Sequence, residues 1–101
     1  MPVRDRVVWG GSNPFADPRL ADLPNLIRDF RGGNNRGWHK EKFRNDERSL
    51  PDKPDGYYEE HHIGPRHVTG SLRIVLGDCG EVYVSGNHYD DFRQVVGVPG
   101  S

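Results

Sequence analysis

Residues 71–86 read SLRIVLGDCGEVYVSG, and they decide the fold class. Leu72, Ile74 and Leu76 alternate with Ser71, Arg73 and Val75, the period of a strand whose two faces differ. GDCG is a turn, and EVYVS is a second strand-like run. The aliphatic side of SLRIVL needs an apolar cover. The opposite side is left holding Arg73.

The cover lies upstream. Leu20, Leu23, Leu26, Ile27 and Phe30 fall at spacings of three and four, which predicts a helix over residues 17–31. Asp17-Pro18 or Asp22 caps its start, and Pro24 fits the first turn of a helix that begins near Asp22. Gly32-Gly33 ends it. After Trp38 the chain reads as strands at roughly 41–46, 56–63, 71–76, 81–85 and 92–96, joined by turn-rich segments. A helix followed by strands on short turns predicts an α+β fold, with an N-terminal helix on one face of a twisted antiparallel sheet. Residues 1–16 are read as a leader in which VRDRVVW could add an edge strand, and residues 17–101 as a single domain.

The totals agree with one small domain. Of 101 residues 33% are apolar, and the mean hydropathy is -0.86, so the core is small. No run resembles a signal peptide or a membrane span. A net charge of -1 excludes a bulk basic footprint for long nucleic acid but leaves room for a site holding one or two phosphates. The single Cys79 excludes an internal disulfide and a paired-cysteine metal site, and reads as a turn residue.

GYYEEHHIGP (residues 56–65) sets two aromatics, two carboxylates and two imidazoles in a row. With Ile63 marking the core side, Tyr57, Glu59 and His61 share that side, while Tyr58, Glu60 and His62 face the other way. If this strand neighbours SLRIVLG, Glu60 and Arg73 meet on the open face. A solvated surface pair is the plain reading. Taken together, a carboxylate, an imidazole and a guanidinium on one sheet face are the parts for moving a proton while stabilising an anion.

Two further segments, FRNDERSLP (residues 43–51) and GNHYDDF (residues 86–92), complete an ordered set: F-x-N-x-E-x-x-x-P, GYY-x-E, R-I-V, then HY-x-x-F. In this order and spacing, over residues 20–96, the chain resembles the microbial guanyl-specific ribonucleases, the family of barnase and its Streptomyces relatives. The resemblance implies an endoribonuclease that acts on single-stranded RNA by transesterification to a 2′,3′-cyclic phosphate, with no metal or cofactor. Glu60 matches the general base and His88 the general acid. Arg73, with Arg66 or His62, would stabilise the phosphate. Glu47 would accept two hydrogen bonds from guanine, Phe43 and Asn45 would shape the guanine loop, and Tyr89 would lie by the phosphate or base. Tyr58, on the Glu60 face, is grouped with the substrate-binding residues. Implied partners are RNA and a barstar-like immunity protein; a monomer is expected, with no membrane association, secreted or delivered as a toxin domain.

The chain departs from the family pattern at two places. Asp46 stands where relatives carry arginine in the guanine loop, and Thr69 stands where they carry a catalytic arginine four residues before Arg73. Lys40 and Lys42 could offset the lost charge or be a solvated run. Two other readings stay open. EHHIGP resembles the opening of a His-Asn-His metal nuclease, and a catalytically inactive binding module would keep the sheet without the activity.

Overall fold

The computed structural model describes residues 5–9, 18–46, 50–62, 72–85 and 92–98. Among them, six strands form one sheet in the order β1-β6-β5-β4-β3-β2. The strands are β1 Asp5–Val8, β2 His39–Phe43, β3 Tyr58–His62, β4 Arg73–Gly77, β5 Val82–Ser85 and β6 Phe92–Val96. From β2 to β6 every neighbouring pair is antiparallel. The expected α+β fold is therefore found.

β1 departs from the antiparallel pattern. It lies parallel to β6, with Val7 opposite Val95, and Trp9 N–H donates to the Val96 carbonyl at 2.8 Å. The edge strand was legible in VRDRVVW, but its direction depends on a partner some ninety positions away in the chain.

The helical region divides in two. A short 3-10 helix, Pro18–Asp22, leads into α1, Leu23–Arg31, with Pro24 in its first turn. Proline lacks the amide that an interior position would need, so the helix proper starts here. α1 ends in a double hydrogen bond: Gly33 N–H donates to Phe30 O at 3.1 Å, and Asn34 N–H to Asp29 O at 2.7 Å. Gly33 makes this reversal at φ 92°, a backbone region that side chains disfavour.

Leu20, Leu23, Leu26, Ile27 and Phe30 are buried against Ile74, Leu76, Val82, Val84 and Val95. Trp38 closes this layer with its ring edge-on to Phe30, centroids 5.6 Å apart. Arg31 ties the end of α1 to the sheet by donating to the Gly77 carbonyl at 3.1 Å. At Gly77 an added Cβ would fall 2.4 Å from a Glu81 carboxylate oxygen. That carboxylate accepts from the Tyr57 hydroxyl at 2.5 Å and from Cys79 N–H at 3.0 Å, which stitches the β4–β5 turn.

His61 lies on the helix side, as the alternation predicts, and the structure explains why it is tolerated there. It is fully buried, and its ring stacks flat on Phe30, with centroids 4.0 Å apart and planes 5° from parallel. Neither ring nitrogen has a hydrogen-bond partner. Burial lowers its pKa from 6.5 to about 4, against the opposing pull of Glu59. His61 is thus an apolar spacer when neutral. In the unfolded chain it binds its proton at the ordinary value, so folding stability is complete above pH 6.5 and falls as the pH drops from 6.5 towards about 4. The loss across that window is on the order of 2–3 kcal/mol. Urea unfolding of His61→Leu should show a shallower decline over the same range than the wild type. Equal slopes would assign the acid sensitivity to other groups.

Candidate active site

The face of the sheet opposite α1 carries two cross-strand rows that the register defines. One runs His39, His62, Arg73, Ser85, Phe92; the next runs Glu41, Glu60, Val75, Tyr83, Gln94. Glu60 and Arg73 meet diagonally between the rows, with Arg73 Nε 3.5 Å from Glu60 Oε2. Glu60 is 1% exposed and Arg73 0%. The plain reading of a solvated surface pair is corrected: both charges sit out of water, where each depends on its counter-charge.

A second diagonal pair lies beside the first. His62 Nε2 and Glu41 Oε2 are 2.8 Å apart. An ionised carboxylate only accepts, so the ring nitrogen donates and Nε2 carries a proton. The rings of His39 and His62 stack at 5.2 Å. Glu41 had no assigned role in the sequence reading, which began β2 two residues late. Phe43 could have found it: side chains two apart in a strand share a face, so Phe43, Glu41 and His39 line up.

Away from these charged groups the same rows and the rest of the face are largely apolar. Leu50, Tyr58, Val75, Tyr83 and Phe92 form a second buried cluster, with Phe43 and Tyr57 packed against it. Phe43 meets Phe92 edge-on at 5.6 Å and Tyr58 at 6.2 Å. The sequence reading left this face open; the structure fills part of it, because aromatics on four elements converge there.

Asn45 braces the loop that follows β2. Its side-chain amide donates to Leu50 O at 2.9 Å and its Oδ1 accepts from Leu50 N–H at 3.0 Å, with its backbone at φ 57°. Asparagine tolerates this left-handed conformation better than most residues. Tyr58 lies beneath the loop, 2% exposed, and its hydroxyl donates to Pro51 O at 2.6 Å. Burial pushes its phenol pKa upward, so it stays a donor. Asp46 is exposed, and Arg44 Nε lies 3.8 Å from its carboxylate, so a cation stands near the position where the family arginine is missing.

Lys40 and Lys42 do not serve this face. They alternate with Glu41 onto the helix side and pair with Glu59 at 3.2 Å and Asp55 at 3.0 Å. Glu59, unexplained in the sequence reading, is the counter-charge of Lys40. A cavity of about 330 Å³ runs along this β2–β3 edge, lined by Lys40, Glu41, Lys42, Gly56, Tyr58 and Glu59. Glu47, Arg66, Thr69, His88 and Tyr89 lie outside the described residues, as does Ile63.

The structure thus places a buried carboxylate–guanidinium pair on the sheet face away from the helix, the face that also carries Tyr58 and its contact with Pro51. The ribonuclease family model matches residues 16–96. The chain belongs to the microbial guanyl-specific ribonuclease family.

Guanyl-specific ribonuclease St of Saccharopolyspora erythraea is 33% identical over 95 residues, covering 86% of this chain and 94% of that protein. Ribonuclease Sa2 solved with guanosine-2′-cyclophosphate superposes with a TM-score of 0.63 at 29% identity, covering 91% of this chain and 96% of that one. Its complex with 3′-GMP gives 0.60 at 32% identity over the same shares. The helix-on-sheet layout is the family's own. Among the described residues of this ribonuclease, no cluster of His, Cys, Asp and Glu is arranged to hold a metal, and no helix is long and apolar enough to cross a membrane.

Proposed function

We propose that this ribonuclease cleaves single-stranded RNA on the 3′ side of guanosine by transesterification. Glu60 takes the proton of the ribose 2′-hydroxyl. The 2′-oxygen then bonds to phosphorus, the bond from phosphorus to the 5′-oxygen breaks, and His88 protonates the departing 5′-oxygen. The products are a 2′,3′-cyclic phosphate and a free 5′-hydroxyl. Without the 2′-hydroxyl there is no nucleophile, so DNA is not cut. Arg73, with Arg66 or His62, neutralises the charge that grows on the phosphate oxygens.

Glu47 accepts from the guanine ring N–H and exocyclic amine. Adenine lacks that pair of donors and would leave the carboxylate unmatched. Phe43, Asn45 and Tyr58 hold the loop that presents Glu47, and Tyr89 lies beside the phosphate or base.

The observation that carries this reading is the Glu60–Arg73 pair, buried on the sheet face opposite the helix and 3.5 Å apart. A carboxylate and a guanidinium, the two groups that this chemistry needs as base and anion stabiliser, are held together there in a chain of this family. Secretion or delivery as a toxin domain, a monomeric state and an acidic immunity partner belong to the same proposal. Its test is to incubate the protein in EDTA with RNA oligomers that contain or lack guanosine. Cyclic-phosphate ends after guanosine are expected. Cleavage that EDTA abolishes would favour a metal nuclease, and no cleavage at all would favour a binding module.

A further inference from the structure

We propose that the ring of His39 is a stacking platform for the base of the nucleotide that follows the cleaved bond. The proposal deepens the function given above and rests on its placing of guanine and of Glu60; His39 has no part in that reading.

β2 lays the site out from end to end. Side chains two apart in a strand share a face, so Phe43, Glu41 and His39 project on the side away from α1. The loop braced by Asn45, which the proposed function gives to guanine, follows β2 at its Phe43 end. Glu60, which takes the 2′-hydroxyl proton in that reading, is directly opposite Glu41, midway along the strand. His39 begins the strand at the far end, about 7 Å beyond Glu41. Guanosine supplies the 3′-phosphate, so the RNA downstream of the cut runs on from Glu60, away from the guanine loop and towards His39.

The side chain met there is a ring that is both supported and exposed. β2 is the outer strand of the sheet, and His39 is open to solvent. Its ring rests on that of buried His62, with centroids 5.2 Å apart and planes 24° from parallel. A ring stacked on one side and exposed has its solvent side left for a second flat partner. Lys40 and Lys42 do not compete for it, since they turn to the other face and pair with Glu59 and Asp55. Single-stranded RNA is held by this kind of contact, and every base has a face to stack. Stacking needs no charge on the imidazole, so it works in either protonation state. Purines, with the larger ring system, gain the most.

Two substrates isolate the contact. GpA carries a downstream base. Guanosine 3′-methyl phosphate undergoes the same transesterification with methanol as the leaving group, and carries none. In His39→Ala, kcat/KM on GpA relative to the methyl ester should fall about five- to ten-fold, the lower part of the range for a base stacked on an aromatic side chain. The fall should be smaller on GpC. His39→Phe keeps a ring without the possibility of charge and should restore the ratio. His39 is exposed at a sheet edge, so both variants are expected to melt like the wild type.

An equal loss on both substrates would assign His39 to the support of His62 and overturn the proposal. So would an unchanged ratio in H39A, or an H39F enzyme no better than H39A. The uncleavable 2′-deoxy form of GpA, titrated by NMR, reads the contact without turnover. The His39 ring protons should move upfield, and H39A should bind this dinucleotide about five- to ten-fold more weakly. If the wild type cleaves no RNA, the proposed function fails, yet the titration still decides whether a base sits on His39, and ring protons that stay in place would overturn the stacking.

Discussion

Replacing Glu60 with Gln is expected to lower kcat on guanosine-containing RNA by about 100- to 10,000-fold, the range that a positioned general base contributes. Gln keeps the size of the side chain and an oxygen able to accept from Arg73, but it cannot take the 2′-hydroxyl proton. The substrate still finds Arg73, so KM should change far less than kcat, the pattern of an interaction used mainly in the transition state. Initial rates on a guanosine-containing dinucleotide, with cyclic-phosphate product followed directly, measure both parameters. Circular dichroism confirms that the sheet survives. A Gln variant as active as the wild type would remove Glu60 from the chemistry and return the pair to a purely structural role.

The second large effect is on stability. Arg73→Met is expected to cost about 3–5 kcal/mol, because it leaves the Glu60 carboxylate buried without the guanidinium that faces it. The loss should not simply add to that of a Glu60 substitution. In Glu60→Leu/Arg73→Met both charges are gone and apolar side chains of similar bulk take their place, beside Val75 and Tyr83 of the existing apolar cluster. Burying an ion pair and replacing it by well-packed apolar groups are often close in free energy, so the double variant should recover most of the stability while remaining inactive. Urea unfolding of the four proteins at neutral pH gives the coupling. A double variant as unstable as the two singles combined would show that the two side chains fold independently of one another.

Together the two experiments separate what the pair does for the fold from what it does for the reaction. E60Q keeps the shape and loses the proton acceptor. The Leu/Met pair keeps the packing and loses every charge. A site built for catalysis tolerates the second change in stability and neither of them in rate.

Much of the architecture is visible in short-range patterns. The stripe from Leu20 to Phe30 predicts the helix, and it is these side chains that the sheet buries. The alternation in SLRIVL predicts that Arg73 faces away from that helix, and the register confirms it by setting Arg73 opposite His62. Gly32-Gly33 marks the helix end because a reversal with positive φ needs glycine, here at Gly33. The ordered motifs around Phe43, Glu60, Arg73 and His88 pointed to the family in which the comparisons place the chain.

Other features had no local signal. Nothing near Glu41 says that its carboxylate will lie 2.8 Å from His62, because that contact depends on β2 pairing with β3 in one register. A slip of one residue would turn every one of these side chains to the other face. The flat stacking of His61 on Phe30 likewise joins a strand to a helix thirty positions earlier. The lysines of β2 look like help for a phosphate site until the pleat turns them to the opposite face.

The chain by itself determined the elements, their faces and the kind of chemistry they can hold, since period, turn residues and motif spacing act over a few positions and need no partner. Only the tertiary structure decided that Glu60 and Arg73 leave water together, that Glu41 and His62 stand beside them, and that β1 runs parallel to β6. The physical reason is that burial and charge pairing are properties of neighbours in space, and sheet register, which no local pattern encodes, chooses those neighbours.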